Sequence, residues 1–579
     1  SMSNRGSQLE YLELLRGDAP KTNDPFDGIN TTWSRVKGGA PIGDLLNRVE
    51  ADFRHENPAA SVPALMQAYA MIGNLPDSYW KRVKKEEIKN VIAACMGLFA
   101  EAYANEHSAT PDEAVRLNLE IINRSDVPCV LEGVRYVPTG QDTTLNLSLP
   151  NNEDVKWTQI VTLPGDMPLT NAYWLNKKWK LGMYTVEDQT LRGLPETPRQ
   201  FKVMFSLRIN GQPFMLEREV VHKYRDSVKG EVYQPFEVTP PVFVNLQETA
   251  YIFTRSAPQP VKVVVKSGAA GVSGSLTLCQ PEGWRIEPDS QDFSLSLKGK
   301  EQVIEFQLFP PDTAAVGVVS PLAKIGDESY SKSITTIQYD HIPTQTVLLD
   351  AEAKVAKIDL KKAGDRVAYI MGAGDKIPES LRQIGYTVDV LGPDSHRGDI
   401  SVQRLQEYDA VVLGVRAYNT VKRLQFDQPK LMEYVKNGGT LIVQYNTNRS
   451  LVLPMEEIAP YKLHISRDRV TVEEAEVSFL APGNELLNYP NKITEKDFDG
   501  WVQERGLYFP DEWGDEFTPV LSCHDPNEPP RDGGLLVAEH GKGHYIYTGY
   551  SWFRELPAGV PGAFRIFANM ISIGKHDKP

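Results

Sequence analysis

Apolar side chains recur with a helical period in the first hundred residues. They fall at positions i, i+3, i+4, i+7 and i+11 and form one stripe: Ile42, Leu45, Leu46, Val49 and Phe53. The pattern predicts a short helix over 64–72 and a longer one over 78–104. Residues 1–30 are polar and turn-rich without a clear period, so we expect a tail there, followed by a small helical domain at 31–107.

From residue 110 the period of the apolar positions changes to two. Four apolar side chains alternate with polar ones, as in a half-buried strand: Val115, Leu117, Leu119 and Ile121. Asn210-Gly211 separates two further apolar runs and predicts a tight hairpin turn. These short strands indicate a β-sandwich at 108–235. After the Pro240-Pro241 break, a second set of short strands predicts another β-sandwich at 236–345.

Beyond residue 345 predicted strands and helices alternate. The strands are predicted at 366–371, 387–391, 410–414 and 440–444, with helices at 376–384 and 428–436. This order is typical of a mostly parallel, doubly wound α/β sheet, so residues 346–579 are expected to form a flavodoxin-like domain. The expected fold class is therefore a multidomain α+β chain with one helical domain, two β-sandwiches and a C-terminal α/β domain.

Length and charge narrow the classes of function. At 579 residues the chain suits about four domains. Its formal net charge of −14 argues against a general nucleic-acid binder, which needs a basic excess to displace phosphate counterions. No stretch approaches the ~20 apolar residues of a membrane span. The opening Ser1-Met2-Ser3 looks like the remnant of a cleaved tag, so we expect natural residues to have preceded it.

Polar residues follow two of the predicted parallel strands. Arg416, Tyr418 and Asn419 come after the strand at 410–414; Gln444, Tyr445 and Asn446 end or follow the strand at 440–444. In open α/β sheets, ligands bind beyond the carboxyl ends of the strands. These side chains could bind a polyol or a carboxylate, or they could stabilise loops, and the sequence leaves both interpretations open.

Three further residues are candidates for ligand contact. Trp501 and Arg505 belong to an aromatic and basic cluster that suits either carbohydrate or a core interface. The other members of this cluster are Tyr508, Phe509, Trp513, Trp552, Phe553 and Arg554. His544 is a candidate base for a hydrolase that works without cysteine. His540 and His544 have the spacing of a metal pair, but Gly541 and Gly543 favour a turn. Cys523, one of four scattered cysteines, adjoins His524 and Asp525 and is interpreted as a chance neighbour rather than a nucleophile.

Several long runs resemble the C-terminal region of bacterial PIG-L/LmbE-family deacetylases. They include RVAYIMGAGDKIPESLRQIGY (366–386), DAVVLGVRAYNT (409–420), EYVKNGGTLIVQYNT (433–447) and NKITEKDFDGWVQERGLYFP (491–510). PEGWRIEP (281–288) is similar to a NEW3-type sandwich associated with glycosidases. RGSQLEYLEL (5–14) resembles the segment that follows the deacetylase domain in the same family.

The resemblance implies a class I glutamine amidotransferase-like fold for the last domain. That machinery needs a cysteine near Tyr445 and a late His-x-Glu, and the sequence has neither. The family's zinc-binding HPDD motif is also missing, which assigns zinc and catalysis to an absent N-terminal deacetylase domain. We therefore expect no cofactor in this chain.

The resemblance also suggests what the chain does and where. The expected role is a non-catalytic accessory region of an N-acetyl-amino-sugar deacetylase, which binds glycan or positions the deacetylase domain, in the periplasm or outside the cell. Two alternatives stay open. One is an independent carbohydrate-binding protein, and the other is a cysteine-independent hydrolase acting at the strand ends of the α/β domain.

Overall fold

The structure is a computed structural model that describes residues 6–180, 182–392 and 400–576. The chain is multidomain and mostly β, with several sheets. It divides into two compact units. Unit 1 comprises Ser1–Thr239 and Thr336–Val347, and unit 2 comprises Pro240–Thr335 and Leu348–Pro579.

Unit 1 begins with an exposed segment and three helices. The described part of the predicted tail, residues 6–30, lacks helix and strand. The helices are α1 (Ala40–Ala51), α2 (Val62–Gly73) and α3 (Tyr79–Met96). The predicted helix over 78–104 is too long, because Gly97 adopts the left-handed conformation at φ 55° and ends α3. Residues 99–104 form a strand instead.

The strands of unit 1 form one large sheet and one small one. They are β1 (Phe99–Ala104), β2 (Ser108–Ala109), β3 (Ala114–Ile122), β4 (Cys129–Val137), β5 (Gln141–Ser148), β6 (Asp154–Thr162), β7 (Lys202–Ile209), β8 (Gln212–Asp226), β9 (Gly230–Pro235) and β10 (Glu237–Val238). The order β5-β4-β7-β8-β1-β3-β6 makes the large sheet, to which β9 adds beside β8, while β2 pairs with β10. The predicted helical domain therefore contributes β1 to the middle of this sheet.

The predicted sandwich at 108–235 is one continuous sheet. The first part of β8 pairs with β7, and its last part pairs with β1 and β9. Buried residues from both halves of the sheet and from α1 to α3 share a single hydrophobic core. The hairpin between β7 and β8 confirms the prediction from Asn210-Gly211, since both residues have positive φ.

Unit 2 begins with a two-sheet β-sandwich. Its strands are β11 (Val242–Leu246), β12 (Ala250–Phe253), β13 (Gln259–Ser267), β14 (Val272–Cys279), β15 (Arg285–Glu287), β16 (Gln291–Leu295), β17 (Glu301–Phe309), β18 (Ala315–Ile325) and β19 (Glu328–Tyr330). Three strands follow: β20 (Lys332–Ile337), β21 (Gln345–Asp350) and β22 (Ala353–Lys357). One sheet has the order β11-β13-β17-β15 and the other β12-β22-β18-β14-β16, with β19 beside β18. Because β22 completes the second sheet, the sandwich extends past the predicted boundary at residue 345.

The rest of unit 2 contains the predicted α/β sheet. Its first elements are β23 (Arg366–Ile370), α4 (Ile377–Gln383), β24 (Thr387–Leu391), α5 (Val402–Leu405), β25 (Ala410–Leu413), α6 (Ala417–Thr420), α7 (Leu424–Lys436) and β26 (Thr440–Gln444). The later elements are β27 (Leu463–Val470), β28 (Val477–Phe479), β29 (Gly506–Trp513), β30 (Thr518–Pro519), β31 (Leu521–Cys523), β32 (Leu535–His540), β33 (Gly543–Thr548), α8 (Trp552–Glu555) and α9 (Pro561–Ser572).

The seven-stranded sheet has the order β24-β23-β25-β26-β33-β32-β30. The first five strands are parallel, as expected for a mostly parallel sheet. β32 pairs antiparallel with β33, and β30 pairs antiparallel with β32. The chain order reverses at β23 and β25, whose carboxyl ends are therefore the switch point where such sheets bind ligands.

Candidate functional site

Arg416 occupies a sharp strand-to-helix turn at this switch point. Its φ of 57° is in the left-handed region, and its backbone N–H donates to the carbonyl of Tyr445 at 2.8 Å. Gly372, after β23, lies so close to the Val415 carbonyl that a Cβ atom would approach it to 2.1 Å. The sharp turn from a strand into a helix is therefore at Arg416, whereas β26 runs into a loop, so Tyr445 is not at such a turn.

Tyr445 forms the centre of an aromatic wall. Its ring lies parallel to that of Tyr508, with an interplanar angle of 6° and centroids 6.0 Å apart, and 5.4 Å from the Phe553 ring. Tyr508 and Phe553 are half-buried, and Tyr445 is 8% exposed. Burial raises the pKa of Tyr445, and the positive charges of Arg416 and Arg554 oppose that shift.

An ion pair lies beside this wall. Arg554 Nε is 2.7 Å from Glu504 Oε1, which also accepts a hydrogen bond from Ser551 Oγ at 3.2 Å. The Glu504 side chain is 10% exposed, so its position is well defined by these contacts. We define the carboxyl-edge site as Arg416, Tyr445, Glu504, Tyr508, Phe553 and Arg554. Glu504 is not among the residues predicted from the sequence, and Tyr508, Phe553 and Arg554 are predicted only as members of the broad aromatic and basic cluster.

Four of the predicted site residues hold neighbouring loops together. Tyr418 is fully buried, and its hydroxyl donates to Gln428 Oε1 at 2.6 Å. Asn446 is also buried and accepts from the Tyr418 N–H at 2.9 Å. Asn419 donates to the carbonyls of Thr447 and Arg449 at 3.2 and 2.9 Å.

Gln444, the fourth, belongs to a polar network at the switch point. Its Nε2 donates to the Tyr369 hydroxyl at 2.9 Å, and that hydroxyl is 2.7 and 2.8 Å from the two carboxylate oxygens of Asp375. Burial raises the pKa of Asp375, and the hydrogen bond from Tyr369 opposes that shift. Asp375 is not predicted as a site residue from the sequence, because the turn at Gly372–Gly374 carries no ligand-binding motif.

Trp501 and Arg505 lie in the core beneath the site. Trp501 is 4% exposed and donates from Nε1 to the Asp497 carbonyl at 3.1 Å. The Arg505 guanidinium donates to the carbonyls of Ala475 and Phe498 at 2.7 to 3.0 Å, and burial lowers its pKa. Both side chains contact the protein itself, as the core interpretation of the aromatic cluster expects.

His544 lies at the amino ends of the parallel strands, opposite the carboxyl-edge site. It pairs with Thr440 at the amino end of β26, whereas Tyr445 follows the carboxyl end of the same strand. Burial lowers the pKa of His544. The structure therefore does not bring His544 together with the strand-end residues, and its assignment as the base of a hydrolase at those ends is corrected. His540 and Gly543 close the predicted tight turn between β32 and β33.

The Cys523-His524-Asp525 run does not form a catalytic arrangement. Cys523 is buried 3.4 Å from the Tyr550 hydroxyl, and burial raises the pKa of its thiol to about 11. His524 contacts the backbone carbonyl of Asp525 at 2.9 Å, and the Asp525 carboxylate accepts from the Thr471 N–H at 2.8 Å. His524, which would act as the base, and Asp525, which would orient that base, are thus both hydrogen-bonded to backbone atoms.

Within 6–180, 182–392 and 400–576, no three His, Cys, Asp or Glu side chains are grouped to hold a metal ion. In that same part of the chain, no helix has the length and apolar character needed to cross a membrane.

Comparisons with known proteins return only remote structural likenesses. No protein-family model and no curated protein matches the chain. A β-galactosidase from Rahnella sp. R3 is 15% identical with a TM-score of 0.23, over 37% of this chain and 32% of that one. Red sea bream transglutaminase is 11% identical with a TM-score of 0.21, over 48% of this chain and 34% of that one. The chain thus spans about a third of these two structures, and similarities of this size define no shared fold.

Proposed function

We propose that this chain is a non-catalytic region that binds glycan at the carboxyl-edge site. The observation that supports it best is the parallel pair of rings of Tyr445 and Tyr508, flanked by Phe553. Aromatic faces bind the apolar faces of sugar rings, while Arg and Glu side chains at their rim bind hydroxyl groups. The site combines both kinds of side chain in one place, since Arg554 and Glu504 border the rings.

The sequence resemblance extends this proposal to a parent protein. We infer that the region serves a PIG-L/LmbE-type zinc deacetylase of N-acetylated amino sugars, in the periplasm or outside the cell. The NEW3-like and amidotransferase-like assignments of the sandwich and the α/β domain belong to the same proposal. On this view zinc and catalysis reside in the deacetylase domain, and the present chain contributes binding or positioning.

Replacing either of the two parallel rings of the aromatic wall tests the binding proposal. Tyr445→Ala and Tyr508→Ala are expected to weaken glycan binding on the order of tenfold or more, because each removes one aromatic face. The measurement is binding of the full chain to a glycan array, followed by calorimetry on the best ligand. Tyr339→Ala is the matched control, since Tyr339 is 61% exposed and belongs to unit 1. Unchanged binding in correctly folded Tyr445 and Tyr508 variants would rule out this site.

A separate assay tests the proposal that the chain has no catalytic activity of its own. The chain, supplemented with zinc and incubated with N-acetylglucosamine oligomers, is expected to release no acetate. Clear turnover that survives repurification would show that the chain is itself an enzyme.

A further inference from the structure

Two exposed guanidinium groups lie at the carboxyl edge. Arg416 and Arg449 are exposed, and among the residues that the structure describes neither side chain makes a hydrogen bond or an ion pair. Their backbones belong to one loop cluster, because the Arg416 N–H donates to Tyr445 and the Arg449 carbonyl accepts from Asn419. Asn419 lies on α6, the helix that follows Arg416 directly.

The neighbouring acidic groups are already engaged. Glu504 pairs with Arg554, and Asp375 accepts hydrogen bonds from Tyr369. Neither carboxylate therefore pairs with Arg416, whose positive charge nonetheless acts on Tyr445. Arginine stays protonated at any physiological pH, so Arg416 and Arg449 both place positive charge at this edge in a chain whose formal net charge is −14.

We propose that the glycan bound at the carboxyl-edge site is acidic, with a carboxylate or sulfate group that pairs with Arg416 and Arg449. The inference rests on the proposed function, and it names the class of ligand for that same site. The planar guanidinium fork matches both anions, each of which accepts two parallel N–H hydrogen bonds. In this arrangement the aromatic wall binds one sugar ring. The two arginines bind the acidic group of that sugar or of the next sugar in the chain.

A binding assay with charged and neutral probes separates this inference from the proposed function. The probes are a hyaluronan tetrasaccharide, its neutral methyl ester, a sulfated chondroitin tetrasaccharide and an N-acetylglucosamine tetramer. Tighter binding of either acidic probe than of both neutral ones supports the inference. Both acidic probes carry carboxylates, so binding of the sulfated probe alone indicates that the arginines select sulfate. Equal binding of acidic and neutral probes overturns the inference and leaves the proposed function standing. Absence of binding to every probe overturns both.

Variants then assign the selectivity to the two arginines. Arg416→Gln and Arg449→Gln are each expected to weaken binding of the acidic probes on the order of tenfold, because each removes a charge-assisted contact, and to weaken binding of the neutral probes by less. Tyr445→Ala is expected to weaken both. Arg54→Gln is the matched control, because Arg54 is an exposed arginine of unit 1. Acidic binding should also fall with added salt, and acidic binding that both arginine variants retain would overturn the assignment.

Discussion

At the scale of single residues, the carboxyl-edge site contains unusual backbone geometry. Arg416 and Tyr508 have φ angles of 57° and 53°, which side chains other than glycine rarely adopt. Such a conformation costs about 1–3 kcal/mol, and it persists only where surrounding contacts impose it. The Arg416 N–H bond to Tyr445 and the ring contact of Tyr508 with Tyr445 are contacts of that kind. Strain of this sort concentrates at ligand sites, which agrees with the proposed binding role.

Glu555 is a buried carboxyl group behind the same site. Its side chain is fully buried, and Oε2 accepts from the Val502 N–H at 2.9 Å. Oε1 has no hydrogen-bond partner in the part of the chain that the structure describes. Burial raises the pKa of Glu555 to about 8, which the positive charges of Arg505 and Lys354 only partly oppose. The folded state therefore binds a proton on Glu555 more tightly than the unfolded state does.

This difference in the proton affinity of Glu555 between the folded and unfolded states predicts that stability depends on pH. Between the unfolded pKa of 4.5 and the folded pKa of about 8, the folded state carries the extra proton, so Glu555 makes stability fall as pH rises through that window. Glu555→Gln cannot ionise and is expected to gain stability relative to the native chain, on the order of a few kcal/mol at pH 8 and little at pH 4.5. Denaturant unfolding at several pH values measures the difference.

Glu433→Gln serves as the control for this experiment, because Glu433 is an exposed glutamate on α7. It should show no comparable pH-dependent gain. A Glu555→Gln variant whose stability tracks the native chain at every pH would contradict the raised pKa.

At the scale of elements, one glycine decides where the third helix ends. Gly97 takes the left-handed conformation, and the Leu98 N–H behind it donates to the Ala93 carbonyl at 2.9 Å. This hydrogen bond ends α3 and lets the chain enter β1. The apolar pattern continues through both elements, so periodicity alone extended the helix to residue 104.

Two glycine-to-alanine substitutions should therefore change the free energy of unfolding differently. Gly97→Ala is expected to lower the free energy of unfolding by about 1 kcal/mol or more, because φ is positive and the new Cβ would lie 3.0 Å from Arg124 Cβ. Gly73→Ala, at the last residue of α2, meets no atom within 4 Å and is expected to be neutral or to stabilise by ~0.5–1 kcal/mol. Thermal unfolding of the two variants measures both effects, and a destabilisation of equal size in both would contradict the role of φ.

At the scale of the whole molecule, unit 2 joins a β-sandwich to an α/β sheet through a common core. Ala250 and Ile252 of β12 lie in the same buried cluster as Ile377 and Leu381 of α4. Gln383, at the end of α4, accepts from the Ile252 N–H at 3.0 Å and donates to the Ala250 carbonyl at 3.3 Å. The edge strand of the sandwich thus has backbone hydrogen bonds to a side chain of the α/β part.

Removing that side chain should weaken unit 2. Gln383→Ala is expected to lower the free energy of unfolding by about 1–3 kcal/mol, because it leaves the buried Ile252 N–H without its acceptor. Gln425→Ala on α7 is the control, since Gln425 is exposed. Urea unfolding compares the two variants, and equal stability in both would mean that the Gln383 contacts contribute nothing measurable.

Much of the local structure could be predicted from the sequence. The period of the apolar residues reflects the local geometry of a single helix or strand. It therefore correctly predicted the strands at 387–391 and 440–444 and the four buried positions of β3. Asn210-Gly211 likewise specifies its own turn, because both residues tolerate positive φ. The parallel order of the α/β sheet followed from the alternation of strands and helices.

Only the tertiary structure decided which elements share a sheet and which side chains share a site. The membership of β1 and β22 depends on partners far along the chain, and periodicity does not encode those partners. The strand-end rule predicted that Arg416 and Tyr445 lie near each other, as they do, yet it could not show that Tyr418 and Asn446 are buried or that His544 lies at the amino ends of the strands. Tyr508 and Phe553 join Tyr445 across more than sixty residues of sequence, so the aromatic wall exists only when the sheet and the later segments have packed together.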